Sequence, residues 1–380
     1  MKAWKALGPE HVVLEQYEPE KVGKNQVKIK MLSSSISDSD VMTYSGKLGM
    51  KPFPIILGRQ GVGMVSEVGE NVSNFKRGDR VYIRPQVYCG QCSECKRGNE
   101  QFCKHAKVYG KTTDGIMRDF VVAQKNNLYK IPDYIDTQEA SMLEMIALAK
   151  SAVDTLRCEV GDYVVISGAS HLGLLIAQLA MYVRAIPIVL DIDEYRLQIA
   201  EKVGVYYVLN IAAEDVAKRI FSITSGKLAD AVVYTQPEIV SFNRLFDYIS
   251  SGGKVVFTAL ENTNPNLSVN IGSVLDKNIT LYTISSRGLS IPAAVNILAG
   301  GKLNVQPFIT RCNFSEVDKY LGKIKSNSLR NVGLMISLSY ITGRFFNAAA
   351  NAERNAERLF GRDGGEQRKA LAFTQKYGGA

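Results

Sequence analysis

No uncharged apolar run in the chain reaches the ~18 residues that a membrane-spanning helix needs. The longest candidate, LGLLIAQLAMYVRAIPIVL, is broken by Gln178, Arg184 and Pro187. The opening MKAWKALGPEHVVLEQ lacks the apolar core and small-residue cleavage site of a secretory leader. Basic residues never run together with interleaved aromatics. The net charge of +9, from 46 basic and 37 acidic residues, therefore reads as a solvated surface and not as a nucleic-acid footprint. Internal repeats are missing too. These absences leave a globular protein, expected in the cytoplasm, with neither a membrane span nor a nucleic-acid partner. With 380 residues, 46% of them hydrophobic, it is long enough for two domains with full cores.

Cysteine is sparse except in one place: four of the six lie within 15 residues. CGQCSECKRGNEQFC sets Cys89, Cys92, Cys95 and Cys103 at spacings of three, three and eight. In a reducing compartment such crowding points to metal and not to disulfides. Four thiolates close a tetrahedron around one zinc ion and leave no position for water, so the expected site is structural. The alternative is four unbound thiols in a surface loop, a chemical liability.

Two rhythms divide the chain. Up to about residue 150, QVKIKMLSSS, GVGMVSEVG, DRVYIRP and DFVVAQ read as short strands punctuated by Gly, Asp and Asn, which predicts a compact β-rich barrel or sandwich. From about residue 151, the buried strands YVVIS, IPIVLD, DAVVYT and KVVFTAL alternate with the helices HLGLLIAQLAMYV, EYRLQIAEKVG and VSFNRLFDYISSGG. That alternation predicts right-handed βαβ units and a parallel sheet. NITLYTIS, the helix IPAAVNILAGG, VQPFITRCNF, the helical SEVDKYLGKIKS and VGLMISL follow, and are expected to return to the first domain.

Together with the cysteine lobe, several stretches resemble the zinc-dependent medium-chain alcohol dehydrogenases, nearest the polyol and threonine dehydrogenase branch. They are ISDSDVMTYSG, LGRQGVGMVSEVG, FKRGDRVYI, DGIMRDFVV, SGASHLGLLIAQLA, DIDEYRLQIAEKVG, LFDYISSGGKVVF and LAGGKLNVQPFIT. The resemblance covers residues 1 to about 339 and implies an α/β chain. Its β-rich GroES-like catalytic domain would span 1–150 and 285–339, and its Rossmann domain, a doubly wound parallel sheet, 151–284. It also implies a small-molecule alcohol or carbonyl substrate and a homo-oligomer, dimer or tetramer. Which substrate it does not say, because specificity lies in cleft shape.

VVISGASHLGLL aligns with the family's phosphate-binding turn, with Gly168, Ser170 and Gly173 at the three glycine places. Gly168 permits the tight turn and Gly173 close helix–strand packing. Ser170 departs from glycine where backbone approaches pyrophosphate; it is small, and its hydroxyl is able to donate to phosphate. His171 is expected as an exposed loop residue, although the helix N-terminus puts it within reach of the pyrophosphate. The next strand ends at Asp191, 23 residues after Gly168. A carboxylate there accepts from both ribose hydroxyls and repels a 2′-phosphate, which favours NAD over NADP. Alternatively, Asp191 only caps the following helix.

The resembling enzymes hold a catalytic zinc with an early Cys, a His–Glu pair after a glycine, and a third ligand near the domain junction. Here Ser37 stands at the Cys place, Arg59 at the His place and Gln60 at the Glu place; only Glu144 matches a ligand position of the polyol branch. One carboxylate cannot hold a catalytic zinc, which needs about three protein ligands. A guanidinium ligates nothing, since it has five donors and no acceptor. Arg59 is expected to pair with Glu144 bidentately and to take over part of the Lewis-acid role; alternatively, the two changes are unrelated. Ser39 matches the hydroxyl of the family's proton relay, and Tyr44 is near enough in sequence to line the cleft. Activated carbonyls, quinones or enones need the least assistance.

Two functions remain open on this reading. One is an NAD-linked oxidoreductase working without catalytic zinc. The other is a degenerate dehydrogenase kept as a structural or binding subunit. Beyond about residue 340 the composition shifts to Ala, Arg and Asn. Phe345, Ala349, Ala352, Ala356 and Leu359 recur on one helical face. This predicts an appended helical tail over 340–380 that docks on a neighbouring subunit or another protein, or else a loose terminus.

Overall fold

A computed structural model describes residues 1–47, 53–236, 242–258, 270–326 and 336–339, with backbone alone at 38, 39, 242 and 336–339. The helical tail expected over 340–380 lies outside the described residues. No helix among those described is long and apolar enough to cross a membrane.

The α/β architecture expected from the alternating rhythm is present. Six strands form an all-parallel sheet in the order Tyr207–Asn210, Ile186–Asp191, Tyr163–Ser167, Ala229–Tyr234, Ile249–Thr258, Thr280–Ile284. In chain order this is 3-2-1-4-5-6, the doubly wound arrangement whose crevice opens where the order reverses, between the first and fourth strands. The sequence of the first strand explains its central place. Val164, Val165 and Ile166 are all fully buried, which demands cover on both faces. Val164 and Ile166 pack with the helices Leu143–Leu156 and His171–Tyr182, and Val165 packs with Val216 and Ile220 on the other face.

A second, mainly antiparallel sheet runs Leu128–Lys130, Arg80–Ile83, Gly61–Val68, Gln26–Ile36, Ile336–Ser339, Thr310–Asn313. Its axis is Gln26–Ile36. One edge pairs with Gly61–Val68; the other pairs first with Phe120–Gln124 and then with Ile336–Ser339. The alternation of Val27, Ile29 and Met31 fills an apolar cluster with Val65, Val81 and Val121.

One element differs from expectation. The described residues of VSFNRLFDYISSGG, expected as a helix, hold the 3-10 turn Phe242–Asp247, and the strand already begins at Ile249. Tyr248 and Ile249 are both buried, and Ile249 pairs with Ala229 before a shift in register. Strand pairing and burial therefore take residues that a helix would have pointed partly into water.

Candidate functional site

The cysteine lobe lies between the paired strands Gln86–Val87 and Lys107–Val108. Cys103 Sγ is 3.5 Å from Cys89 Sγ and 3.9 Å from Cys92 Sγ, and Cys89 Sγ is 3.9 Å from Cys95 Sγ. All four sulfurs lie within 4.8 Å of one another. A zinc ion bonded to four sulfurs at about 2.3 Å would set them ~3.8 Å apart, so the cluster has the span of a tetrahedral site. Disulfides need sulfurs at about 2.0 Å, and all six cysteines are free thiols. Backbone N–H groups of Gln91 and Cys92 bring the Cys89 thiol down to about 6, towards the thiolate that a metal binds.

The second cluster is built around Gly58. Its φ of +92° suits glycine, and a Cβ there would meet the Met117 backbone nitrogen at 2.7 Å. This turn delivers Arg59 and Gln60 to the mouth of the strand Gly61–Val68. Arg59 Nη2 lies 3.7 Å from Glu144 Oε1, an ion pair longer than the bidentate hydrogen bond expected. Glu144 stands in the first turn of Leu143–Leu156, where the helix dipole favours a negative charge. Gln86 Nε2 donates to the same Glu144 oxygen at 2.9 Å and to the Ser286 carbonyl at 3.2 Å. Gln60 is turned into the protein, where its Oε1 accepts from the Tyr82 hydroxyl at 2.5 Å. Burial holds the Tyr82 phenol well above its ordinary range, and nearby Glu144 adds to that.

Ser37 is engaged as well. It caps the helix Asp38–Tyr44, and its N–H and Oγ both donate to Asp40, at 2.9 and 2.7 Å. Asp40 also accepts from the Gly58 N–H at 2.8 Å. Thus a buried carboxylate ties Ser37 to the turn that carries Arg59. Burial raises the Asp40 pKa, against the pull of these donors and of Arg59. Ser39 lies in the same short helix, its side chain outside the description. Tyr44 ends that helix and packs on the apolar cluster of Trp4, Ile36 and Leu57.

At the phosphate turn, Gly168 has φ +110°, and a Cβ on Gly173 would lie 2.0 Å from the Gly168 carbonyl oxygen. Only glycine fits at that third place. Ser170 caps the helix His171–Tyr182, its Oγ accepting from the Gly173 N–H at 3.3 Å. His171 is buried in the first turn of that helix, not exposed in a loop as expected, because the helix begins at His171 itself, directly after its cap Ser170. Asp191 is fully buried. It accepts from the backbone N–H groups of Ala169, Ile192 and Asp193 at 2.7, 2.8 and 2.9 Å. Capping of the following helix falls to Asp193, while Asp191 braces the phosphate turn against the second strand. Arg196 Nη1 stands 4.0 Å from Asp191.

The comparisons with known proteins bear on the family. Residues 23–133 match the alcohol dehydrogenase GroES-like domain, and residues 172–299 match the zinc-binding dehydrogenase family. A zinc-type alcohol dehydrogenase-like protein of Haemophilus influenzae is 32% identical over 84% of this chain and 93% of its own. L-threonine 3-dehydrogenase of Pyrococcus furiosus is 31% identical over 84% and 92%. Among solved structures, a zinc-binding dehydrogenase of Sinorhizobium meliloti bound to NADP superposes with a TM-score of 0.81 at 21% identity, covering 89% of this chain and 98% of that one. The chain belongs to the zinc-type alcohol dehydrogenase family of oxidoreductases.

Gln86 and Asp40 enter the site without having been singled out in the sequence. Asp40 had a signal in the Ser37-x-x-Asp40 spacing of a capping box. Gln86 had none, because its partner Ser286 is brought beside it only by the fold.

Proposed function

We propose that this protein is a nicotinamide-dependent oxidoreductase acting on an alcohol or carbonyl substrate without a catalytic zinc. The observation that carries the reading is the Arg59–Glu144 pair. A guanidinium with no lone pair occupies the place of a metal ligand and puts positive charge where the metal's charge would act. When bound, the nicotinamide supplies or accepts a hydride. Arg59 would stabilise negative charge developing on the substrate oxygen. Glu144, fixed by Gln86 and its helix N-terminus, balances that charge when the cleft holds no substrate. A guanidinium is a poor proton donor at neutral pH, so the proton would pass through the hydroxyl of Ser39 or of Tyr44. Such a site suits an activated carbonyl, a quinone or an enone.

Gly168, Ser170, His171, Gly173 and Asp191 would hold the dinucleotide. The carboxylate of Asp191 favours NAD, and Arg196 beside it tempers that preference. Cys89, Cys92, Cys95 and Cys103 would hold one structural zinc. We place the catalytic domain at 1–150 and 285–339 and the dinucleotide domain at 151–284, in a cytoplasmic homo-oligomer. Fluorescence titration with NADH and NADPH tests the reading. Tighter binding of NADH is expected. Binding of neither nucleotide would favour the scaffold alternative, for which the replaced ligand places at Ser37, Arg59 and Gln60 and the serine at the second glycine place speak.

A further inference from the structure

Glu144 Oε1 is approached by two side chains of different kind. Arg59 Nη2 stands 3.7 Å from it, and Gln86 Nε2 donates to it at 2.9 Å. The first distance is that of an ion pair; the second is a charge-assisted hydrogen bond. A cation and a neutral amide thus meet at one carboxylate oxygen, and the neutral group holds the nearer place. Gln86 and Glu144 are both buried, so water does not replace either contact.

The place of Gln86 is fixed independently of Glu144. Its amide nitrogen faces two groups that only accept, the Glu144 carboxylate and the Ser286 carbonyl, so chemistry decides which end of the amide points there. Each of its two N–H groups serves one of them. The Gln86 carbonyl accepts from Asn127 Nδ2 at 2.8 Å and from Arg84 Nε at 3.3 Å, which pins the backbone. Ser286 lies two residues beyond the strand Thr280–Ile284, and its loop is tied to the same segment again, where the Gly288 N–H donates to the Tyr88 hydroxyl at 3.2 Å. Gln86 therefore cannot follow Glu144 towards Arg59 without giving up the Ser286 carbonyl.

A guanidinium locked bidentately on a carboxylate commits two donors to it. Gln86 opposes that lock by occupying the carboxylate oxygen. Being uncharged, it does so without altering the net charge of the pair, which a lysine at this position would. We infer that Gln86 is a positioning residue that competes with Arg59 for Glu144 and keeps the two charges at ion-pair range. The consequence for catalysis, a guanidinium held in readiness for a substrate oxygen, rests on the oxidoreductase reading above; the competition itself does not.

The test is the Arg59→Leu, Glu144→Leu double-mutant cycle, read by urea unfolding of the full, zinc-loaded chain in the wild-type, Gln86→Met and Gln86→Asn backgrounds. Methionine fills similar space and has no N–H to donate. Asparagine keeps an amide but is one methylene shorter, so it cannot span from the same backbone to Glu144. In both backgrounds Arg59 should close on Glu144. The coupling of the two, expressed in the unfolding equilibrium constant, is expected to rise about tenfold over wild type, the worth of one charge-assisted hydrogen bond. A residue that merely filled space would lower stability and leave the coupling as it was. An unchanged or smaller coupling in either background therefore overturns the inference, and Gln86→Asn alone decides if Gln86→Met does not fold. The cycle needs neither nucleotide nor substrate, so failure of the oxidoreductase reading, seen in the NADH titration, is a separate result.

Discussion

Arg59 and Glu144 face each other across 3.7 Å with side-chain exposures of only 14% and 8%. Removing one partner leaves the other charge buried, which costs about 3–5 kcal/mol. Arg59→Leu is expected to lose that much stability, and the Arg59→Leu, Glu144→Leu double variant less than Arg59→Leu alone. Urea unfolding of the wild type, both single variants and the double variant checks this. Simple additivity of the two single losses would mean that the residues are not coupled.

Metal analysis of the purified protein is expected to give about one zinc per chain, held by a closed four-cysteine site. Cys95→Ser should lower both the zinc content and the thermal stability, because a structural site contributes to folding. The combined change Ser37→Cys, Arg59→His and Gln60→Glu should raise the content to about two. Two equivalents in the wild type would show that the residues around Gly58 have been misassigned.

Asp40 sets a pH dependence whose sign follows from its raised pKa. The folded protein prefers the neutral carboxyl. The stability this gives is complete below the unfolded value of about 3.9 and is lost as pH rises through the higher folded value. Asp40→Asn lacks that loss. Urea midpoints taken between about pH 4 and about pH 7 should therefore show the wild type losing ground to Asp40→Asn as pH rises. The opposite slope would mean that the three hydrogen bonds outweigh burial.

A stop after Tyr340 keeps the strand Ile336–Ser339 whole and removes only the tail. If the tail is an association element, the shortened protein should keep its melting temperature and zinc but show a smaller mass by light scattering, or lose a partner in a pull-down. An unchanged mass with no partner lost ends that idea.

Much of the fold is legible because it rests on local pattern. YVVIS and IPIVLD are continuous apolar runs, which only a sheet covered on both faces accommodates. The four cysteines are likewise close in sequence, so their convergence follows from spacing. What escaped depends on distant partners. Gln86 matters because the loop at Ser286 folds back upon it. Ile249 became strand because Ala229 lies beside it, a pairing that outweighs the helical look of the residues before Gly252 and Gly253. Charge compensation led to the expectation of Arg59 opposite Glu144, but the bidentate hydrogen bond is not met: the two stand 3.7 Å apart while Gln86 donates to the same Glu144 oxygen.

The strand Ile336–Ser339 sits between Gln26–Ile36 and Thr310–Asn313, in the interior of its sheet. Its neighbour Ser33–Ile36 leaves the ribosome about 300 residues ahead of Ile336–Ser339. At about 5–20 residues per second, the gap is on the order of tens of seconds. Throughout that time the backbone of Ser33–Ile36 offers an unpaired edge to any other chain nearby. The parallel sheet between Tyr163 and Ile284 has a shorter wait, since its strands lie within one continuous stretch of the chain. Synthesis therefore completes the parallel sheet while the antiparallel one still lacks a strand, and aggregation of nascent chains would begin at residues 33–36.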